Sequence, residues 1–340
     1  MESCELLEIK QTPSKLDLKD AAISEERIDA GFGPILVAQQ GARVRPNSSQ
    51  CCIITFHDLG LNHLSNYQAF FNYPLMRPVI ARMPVIHINA PGQEDGADKL
   101  PDDYCYPSMD QLADSVRTVC NYYGVKQAIC LGVGLGANVM ARVAFKNPDL
   151  VDGLFLINPV PTEAGWIEWA YQRRNIYYLN NLQYSNERAA DSNTNNYYSF
   201  NETFPQTILD YLIWHHFGTP SQECNPDLIE MYKIYFSSFK IHPKNLALLM
   251  DSYLRRGDVN ISREPGQKLA CSSLILCGND SPFLEDSINM NQRLAPELST
   301  WMKLFDCGLA LDEQPNKVAE AFILFVQGLG LGLLTCYKYK

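Results

Sequence analysis

The sequence predicts an α/β fold in which a mainly parallel, doubly wound sheet carries a helical cap. Three observations lead there. Short apolar runs alternate with amphipathic helical segments through residues 27–162, the pattern of β–α–β units. The run Ile129-Cys130-Leu131-Gly132-Val133-Gly134-Leu135-Gly136-Ala137-Asn138 passes from a buried strand through alternating glycines into a helix. The alternation stops after Pro161, residues 163–266 read as helices with polar breaks, and strands resume beyond them.

In chain order, residues 1–26 show no sustained period and are expected to form a flexible N-terminal arm. Residues 28–39 and 51–56 read as strands around the turn Arg45-Pro46-Asn47-Ser48-Ser49. The second is a continuous apolar run, which suits a strand covered on both faces, and it ends in His57-Asp58-Leu59-Gly60. Residues 66–83 are helical with breaks at Pro74 and Pro78, and residues 84–88 form the next buried strand. Ser108 and Gln111 form a capping box that opens a helix closed by Gly124. Residues 153–157 are a further strand. Within the cap, helices are expected over 166–174, 206–217, 226–239 and 243–255, with 175–201, rich in Asn, Tyr and Ser, as a flexible surface loop. The core resumes over 267–330 with strands at 272–277 and 301–305, a helix near 285–294, and a last helix with Pro315 in its first turn. Residues 331–340 are a C-terminal tail.

The chain has 340 residues, enough for one α/β core with an insertion, and 46% hydrophobic against 19% charged residues is a globular composition. A net charge of −10 argues against a nucleic-acid surface, and no nucleic-acid partner is expected. The eleven cysteines form no CxxC pair and no metal-ligand spacing, so they read as reduced thiols of a cytoplasmic protein. No run reaches the roughly 18 apolar residues of a membrane span. No cofactor is expected.

The strand–turn–helix at 129–141 is the context of the nucleophile elbow of α/β-hydrolases, Gly-x-Ser-x-Gly. Here Gly132 and Gly136 keep the frame while Gly134 replaces the serine. The triad order places an acid after the late strand, where Asp280 stands, and a histidine after the last strand, where Leu309 stands. None of the six histidines lies beyond residue 242. Losing such a nucleophile costs on the order of a million-fold in turnover. Gly134, Asp280 and Leu309 are therefore vestigial triad positions, and no catalytic residue is assigned. The backbone amides of Leu59 and Leu135 are the expected oxyanion donors. His57, Asp58, Leu59, Gly134, Leu135 and Asp280 are the candidate lining of a residual ligand pocket.

Weaker candidates fall to plainer readings. His57 at a strand end is expected to brace its loop. Cys307 follows Asp306, a poor setting for a reactive thiol. His215-His216 suggests a metal pair, but only one ring is expected to face a given direction and no third ligand is evident, so no metal site is assigned. Gly132-x-Gly134-x-Gly136 lacks the spacing of a dinucleotide fingerprint.

Several blocks together resemble the N-myc downstream-regulated (NDRG) family. They are His57-Asp58-Leu59-Gly60-Leu61-Asn62, Asn89-Ala90-Pro91-Gly92-Gln93-Glu94-Asp95-Gly96-Ala97, Tyr106-Pro107-Ser108-Met109-Asp110-Gln111-Leu112 and Gly132-Val133-Gly134-Leu135-Gly136-Ala137. Leu156-Ile157-Asn158-Pro159, Gly165-Trp166-Ile167-Glu168-Trp169 and Tyr253-Leu254-Arg255-Arg256-Gly257-Asp258 extend the likeness over roughly residues 28–330. The resemblance implies a non-catalytic, hydrolase-like cytoplasmic protein of signalling, differentiation, growth control or stress response. It would act through protein partners, by way of the cap, and in some members at membranes or vesicles. The alternative is a small-molecule or lipid-binding protein, or an atypical hydrolase, that uses the vestigial pocket. The chain departs from the family in residues 175–201, in a C-terminus without a long Ser/Thr-rich segment, and in Gly278-Asn279-Asp280, which displaces the acid by one position.

Overall fold

The computed structural model describes residues 23–46, 50–182, 184–188, 198–200, 203–219 and 224–331. An eight-stranded sheet forms the core, in the order β1-β2-β4-β3-β5-β6-β9-β10. Its strands are β1 (Ile23–Asp29), β2 (Pro34–Gln40), β3 (Cys52–Phe56), β4 (Val85–Ile88), β5 (Ala128–Val133), β6 (Val151–Ile157), β9 (Ser272–Gly278) and β10 (Ser299–Leu304). β2 is antiparallel to β1 and β4, and the remaining neighbours are parallel. β3 and β5 are buried along their whole length, as strands covered on both faces must be.

A π-helical turn at Leu64–Gln68 runs into α1 (Ala69–Asn72), and α2 (Arg77–Ile80) follows Pro74. α3 (Met109–Tyr123) has the full capping box: Gln111 N donates to Ser108 Oγ at 3.3 Å, and Ser108 N donates to Gln111 Oε1 at 2.9 Å. Gly124 closes it at φ +67°. α4 (Leu135–Lys146) leaves β5 directly. The cap holds α5 (Trp166–Asn181), α6 (Gln206–Phe217), α7 (Pro226–Ser237) and α8 (Pro243–Leu254), with β7 (Tyr184–Arg188) and β8 (Tyr198–Phe200) paired antiparallel. α9 (Leu284–Arg293), α10 (Ala310–Glu313) and α11 (Pro315–Gly328) complete the core. Arg256 fastens the cap: its guanidinium grips both Glu168 carboxylate oxygens at 2.8 and 2.9 Å, and Nε donates to the Thr162 carbonyl.

Three boundaries differ from expectation. The arm expected over 1–26 ends sooner, because residues 23–26 belong to β1. There Glu25 meets His63 at 3.1 Å and Glu26 accepts from the Tyr123 hydroxyl, so these charges are partnered at a sheet edge. The single strand expected over 28–39 is a hairpin that turns between β1 and β2, where Gly31 and Gly33 take positive φ. The segment 175–201, expected as a loop without a fold element, holds the last turns of α5 and the antiparallel pair β7–β8. α5 continues to Asn181 because Gln172, Asn175, Ile176 and Leu179 bury one helical seam, a spacing that Asn and Tyr between them hide. The N-terminal residues 1–22, residues 189–197 of the expected loop, and 332–340 of the tail lie outside the described residues.

His242 caps α8, where its Nδ1 accepts from Lys244 N at 3.2 Å. Burial, with Lys244 and Lys99 nearby, pushes this imidazole down from 6.5 to about 4. The folded state thus binds the proton more weakly than the unfolded chain. This contribution to stability is complete above pH 6.5 and is lost as pH falls toward 4. Replacing His242 with Asn retains a capping side chain without a titrating group. Urea unfolding from pH 7 to 4 is expected to fall less steeply for His242→Asn than for the native chain.

Candidate functional site

The elbow between β5 and α4 needs glycine for two separate reasons. Gly136 lies so close to β3 that a Cβ there would overlap the Phe56 carbonyl oxygen. Gly134 sits at φ +53°, ψ −114°, backbone that L-residues reach only under strain. A Cβ on Gly134 would overlap the Asp58 carboxylate. The space of a nucleophile side chain is therefore filled by a carboxylate from another loop.

Asp58 follows β3 in a tight turn. Its amide donates to Asn66 Oδ1 at 2.8 Å, and its carbonyl accepts from Leu61 N at 3.2 Å. Its Oδ1 accepts from Leu59 N at 2.7 Å and from Leu135 N at 2.8 Å. These are the two amides expected as oxyanion donors, and both are directed at the chain's own anion. Leu135 is also the first residue of α4, so the carboxylate stands at a helix N-terminus, where negative charge is favoured.

The cap completes the group from above. His215 Nε2 lies 3.1 Å from Asp58 Oδ1, and its Nδ1 is 3.3 Å from the Tyr211 hydroxyl. His216 Nδ1 lies 3.5 Å from Asp58 Oδ2, and its Nε2 is 3.0 Å from the Leu59 carbonyl oxygen. The two rings stand at 82° to one another, which lets neighbouring residues of α6 converge on one carboxylate. Asp58, His215 and His216 are 2–3% exposed. Burial by itself would raise the Asp58 carboxyl, but His215, its hydrogen bond, His216 and the Leu135 amide together hold it below its ordinary value. Burial outweighs Asp58 at His216 and lowers that imidazole to about 4.

The structure thus brings His57, Asp58, Leu59, Gly134 and Leu135 together. His57 braces the loop: Nδ1 donates to the Asp58 carbonyl at 2.8 Å, Nε2 accepts from Ala90 N at 2.9 Å, and burial lowers the ring to about 4. Asp280 is tied elsewhere, since its amide donates to the Cys307 carbonyl and its carboxylate accepts from Asn279 Nδ2 at 3.4 Å. Leu309 is buried, and its amide, with that of Gly308, donates to Glu313. The Cys307 thiol is pushed up to about 12 by burial and then by Glu313 and Asp280.

Two sequence expectations change here. Both rings of the His215–His216 pair face one point, and a third potential ligand is present: Asp58 lies 157 residues upstream, beyond any spacing rule. The large cavity also lies beside the vestigial site. It measures about 610 Å³ and opens between α5, α6 and the start of α9, with Tyr211, Trp214, Gln172, Tyr253, Phe283 and Asp286 among its walls. Gln172 Oε1 and the Tyr253 hydroxyl are buried there without a hydrogen-bond partner. Of these walls the sequence marked only Tyr253, at the start of the block Tyr253–Asp258, and the double histidine one turn from Tyr211.

The Ndr family profile matches residues 25–190 and 186–333. The chain belongs to the Ndr family. Protein NDRG3 of Xenopus tropicalis is 34% identical over 313 residues, covering 90% of this chain and 73% of that protein. Protein NDRG1-B of Xenopus laevis is 33% identical over 318 residues, covering 92% and 72%. Among solved structures, a thermophilic esterase from Thermogutta terrifontis superposes with a TM-score of 0.67 at 18% identity, covering 90% of this chain and 99% of the esterase. An enol-lactonase from Burkholderia xenovorans gives 0.62 at 13% identity, covering 86% and 97%. The α/β-hydrolase fold of this Ndr-family chain is thereby shown.

If the Asp58 carboxylate excludes a side chain at residue 134, the two positions are energetically coupled. Gly134→Ser is expected to cost about 3 kcal/mol by overpacking and backbone strain. In an Asp58→Ala background the same change should cost at least about 1 kcal/mol less. A double-mutant cycle by urea denaturation measures this, and additive effects would contradict the overlap.

Proposed function

We propose that this Ndr-family chain is a non-catalytic, hydrolase-like cytoplasmic protein that works through protein contacts in signalling, differentiation, growth control or stress response, in some settings at a membrane or vesicle surface. The observation that carries the non-catalytic part is the Asp58 carboxylate seated on the Leu59 and Leu135 amides. Acyl transfer needs those donors free for the negative charge that develops on the substrate oxygen. A fixed anion there repels that charge, and Gly134 offers no nucleophile.

The contact surface is supported by α5, whose outer face carries Trp166, Tyr171 and Tyr177 at 80%, 62% and 64% exposure. Exposed aromatic side chains are typical anchors of protein interfaces. Among the described residues no helix is long and apolar enough to cross a membrane. Substituting these three residues with Ser should remove most cross-linked partners seen by mass spectrometry while thermal stability stays unchanged. A Tyr122→Ser variant, altered on α3, should retain them. Equal partner sets in both variants would exclude α5 as the contact face.

A second reading rests on the cavity beside Tyr211, whose largely apolar walls suit a small acyl or aromatic compound. Turnover of ester, thioester and lactone substrates is expected to stay at the buffer rate for the native chain and for Gln172→Trp, which fills the cavity. Turnover present in the first and lost in the second would replace the non-catalytic reading with this one.

A further inference from the structure

The environment of His216 contains a conflict that no arrangement of its neutral ring resolves. Nε2 lies 3.0 Å from the Leu59 carbonyl oxygen, which can only accept, so Nε2 carries the proton. Nδ1 is then a lone-pair acceptor. It points at Asp58 Oδ2, another acceptor, from 3.5 Å, and among the described residues it has no hydrogen-bond partner of its own. Reversing the tautomer moves the conflict to Leu59. Two acceptors facing each other inside a protein are costly unless something positive lies between them. A metal ion bound by both acceptors removes the conflict.

We propose that Asp58, His215 and His216 bind one divalent transition-metal ion of the zinc class, which clamps cap helix α6 to the loop after β3. Their ligand atoms, one from each residue, all lie within 4.8 Å of one another. Asp58 offers one oxygen to each ring, Oδ1 at 3.1 Å from His215 Nε2 and Oδ2 at 3.5 Å from His216 Nδ1, and both separations are close to the roughly 3.3 Å between ligands of a tetrahedral zinc ion with bonds of about 2.0–2.1 Å. Two imidazoles and one carboxylate are a donor set that suits zinc, cobalt or nickel and not the all-oxygen preference of calcium or magnesium.

The outer groups are also in place. A metal-bound imidazole donates its other N–H to an oxygen that orients the ring. His216 Nε2 has the Leu59 carbonyl, and His215 Nδ1 has the Tyr211 hydroxyl at 3.3 Å. Asp58 Oδ1 is oriented by two backbone amides, which leaves Oδ2 toward His216. The ligands come from residue 58 and from residues 215 and 216, on opposite sides of the cap–core boundary, so binding the ion opposes separation of the two.

The test uses the purified full-length chain, stripped with a chelator and titrated with Co²⁺, followed by visible absorption and thermal melting. One Co²⁺ per chain is expected, with ligand-field bands of a nitrogen and oxygen site and no thiolate charge-transfer band. Zn²⁺ should displace it and raise Tm by several degrees. His216→Phe, whose ring can stack on Phe236 as the imidazole does, should weaken Co²⁺ binding at least about tenfold and abolish the Zn²⁺ shift in Tm. His215→Asn should do the same, which covers the case in which one variant fails to fold. Absence of a Co²⁺ band, a thiolate band, or a Zn²⁺ shift that survives in a folded variant would each overturn the proposal.

Discussion

The carboxylate of Asp58 is the interaction on which the rest of this site depends. It is buried, yet it remains the ionised partner of its surroundings because three groups compensate its lost hydration: the Leu59 amide, the Leu135 amide at the N-terminus of α4, and the His215 imidazole. The elbow supplies donors arranged to stabilise a transient negative oxygen, and Asp58 uses them permanently. Gly134 is the steric complement of that choice, since a side chain at 134 and a carboxylate at 58 compete for one volume. The absent nucleophile and the present anion are one feature seen from two loops.

The same carboxylate joins the two parts of the fold. α6 reaches the core through His215 and His216, and the end of α6 packs on the loop after β9, where Gly218 at φ +69° has no room for a Cβ against the Asp280 carbonyl. Arg256, Glu168 and Thr162 fasten the other end of the cap. The cap is therefore held at both ends by buried charged groups. Because charges leave water only when their partners are well placed, these contacts favour one cap orientation over others. Imidazoles have returned to the centre of the fold from the cap, whereas a hydrolase places its histidine after the last strand. At that position Leu309 is enclosed and Glu313 satisfies the neighbouring amides.

The cavity lies one layer from the elbow, between α5 and α6, with His215 in ring contact with both Tyr211 and Phe283 of its wall. The exposed aromatic face of α5 continues from the same cap. The central strands of this Ndr-family chain are enclosed on both faces, whereas the exposed aromatic residues of α5 lie on the helical segment outside them.

The amino-acid sequence by itself determined the sheet, the strand–turn–helix at its centre and the glycine at residue 134, because those features are written in local signals. Apolar runs mark β3 and β5, Ser108 and Gln111 open α3, and Gly134 stands between Gly132 and Gly136 where a hydroxyl is required. The strand at residues 23–26 was hidden because its carboxylates are satisfied by partners far along the chain, and the last turns of α5 because exposed Asn and Tyr interrupt the buried seam. Only the tertiary structure decided what fills the emptied site. Asp58 and His215 are 157 residues apart, and whether a buried acid meets an imidazole, an amide or a solvent-filled gap is settled by how the cap packs on the core, which no spacing within either segment encodes.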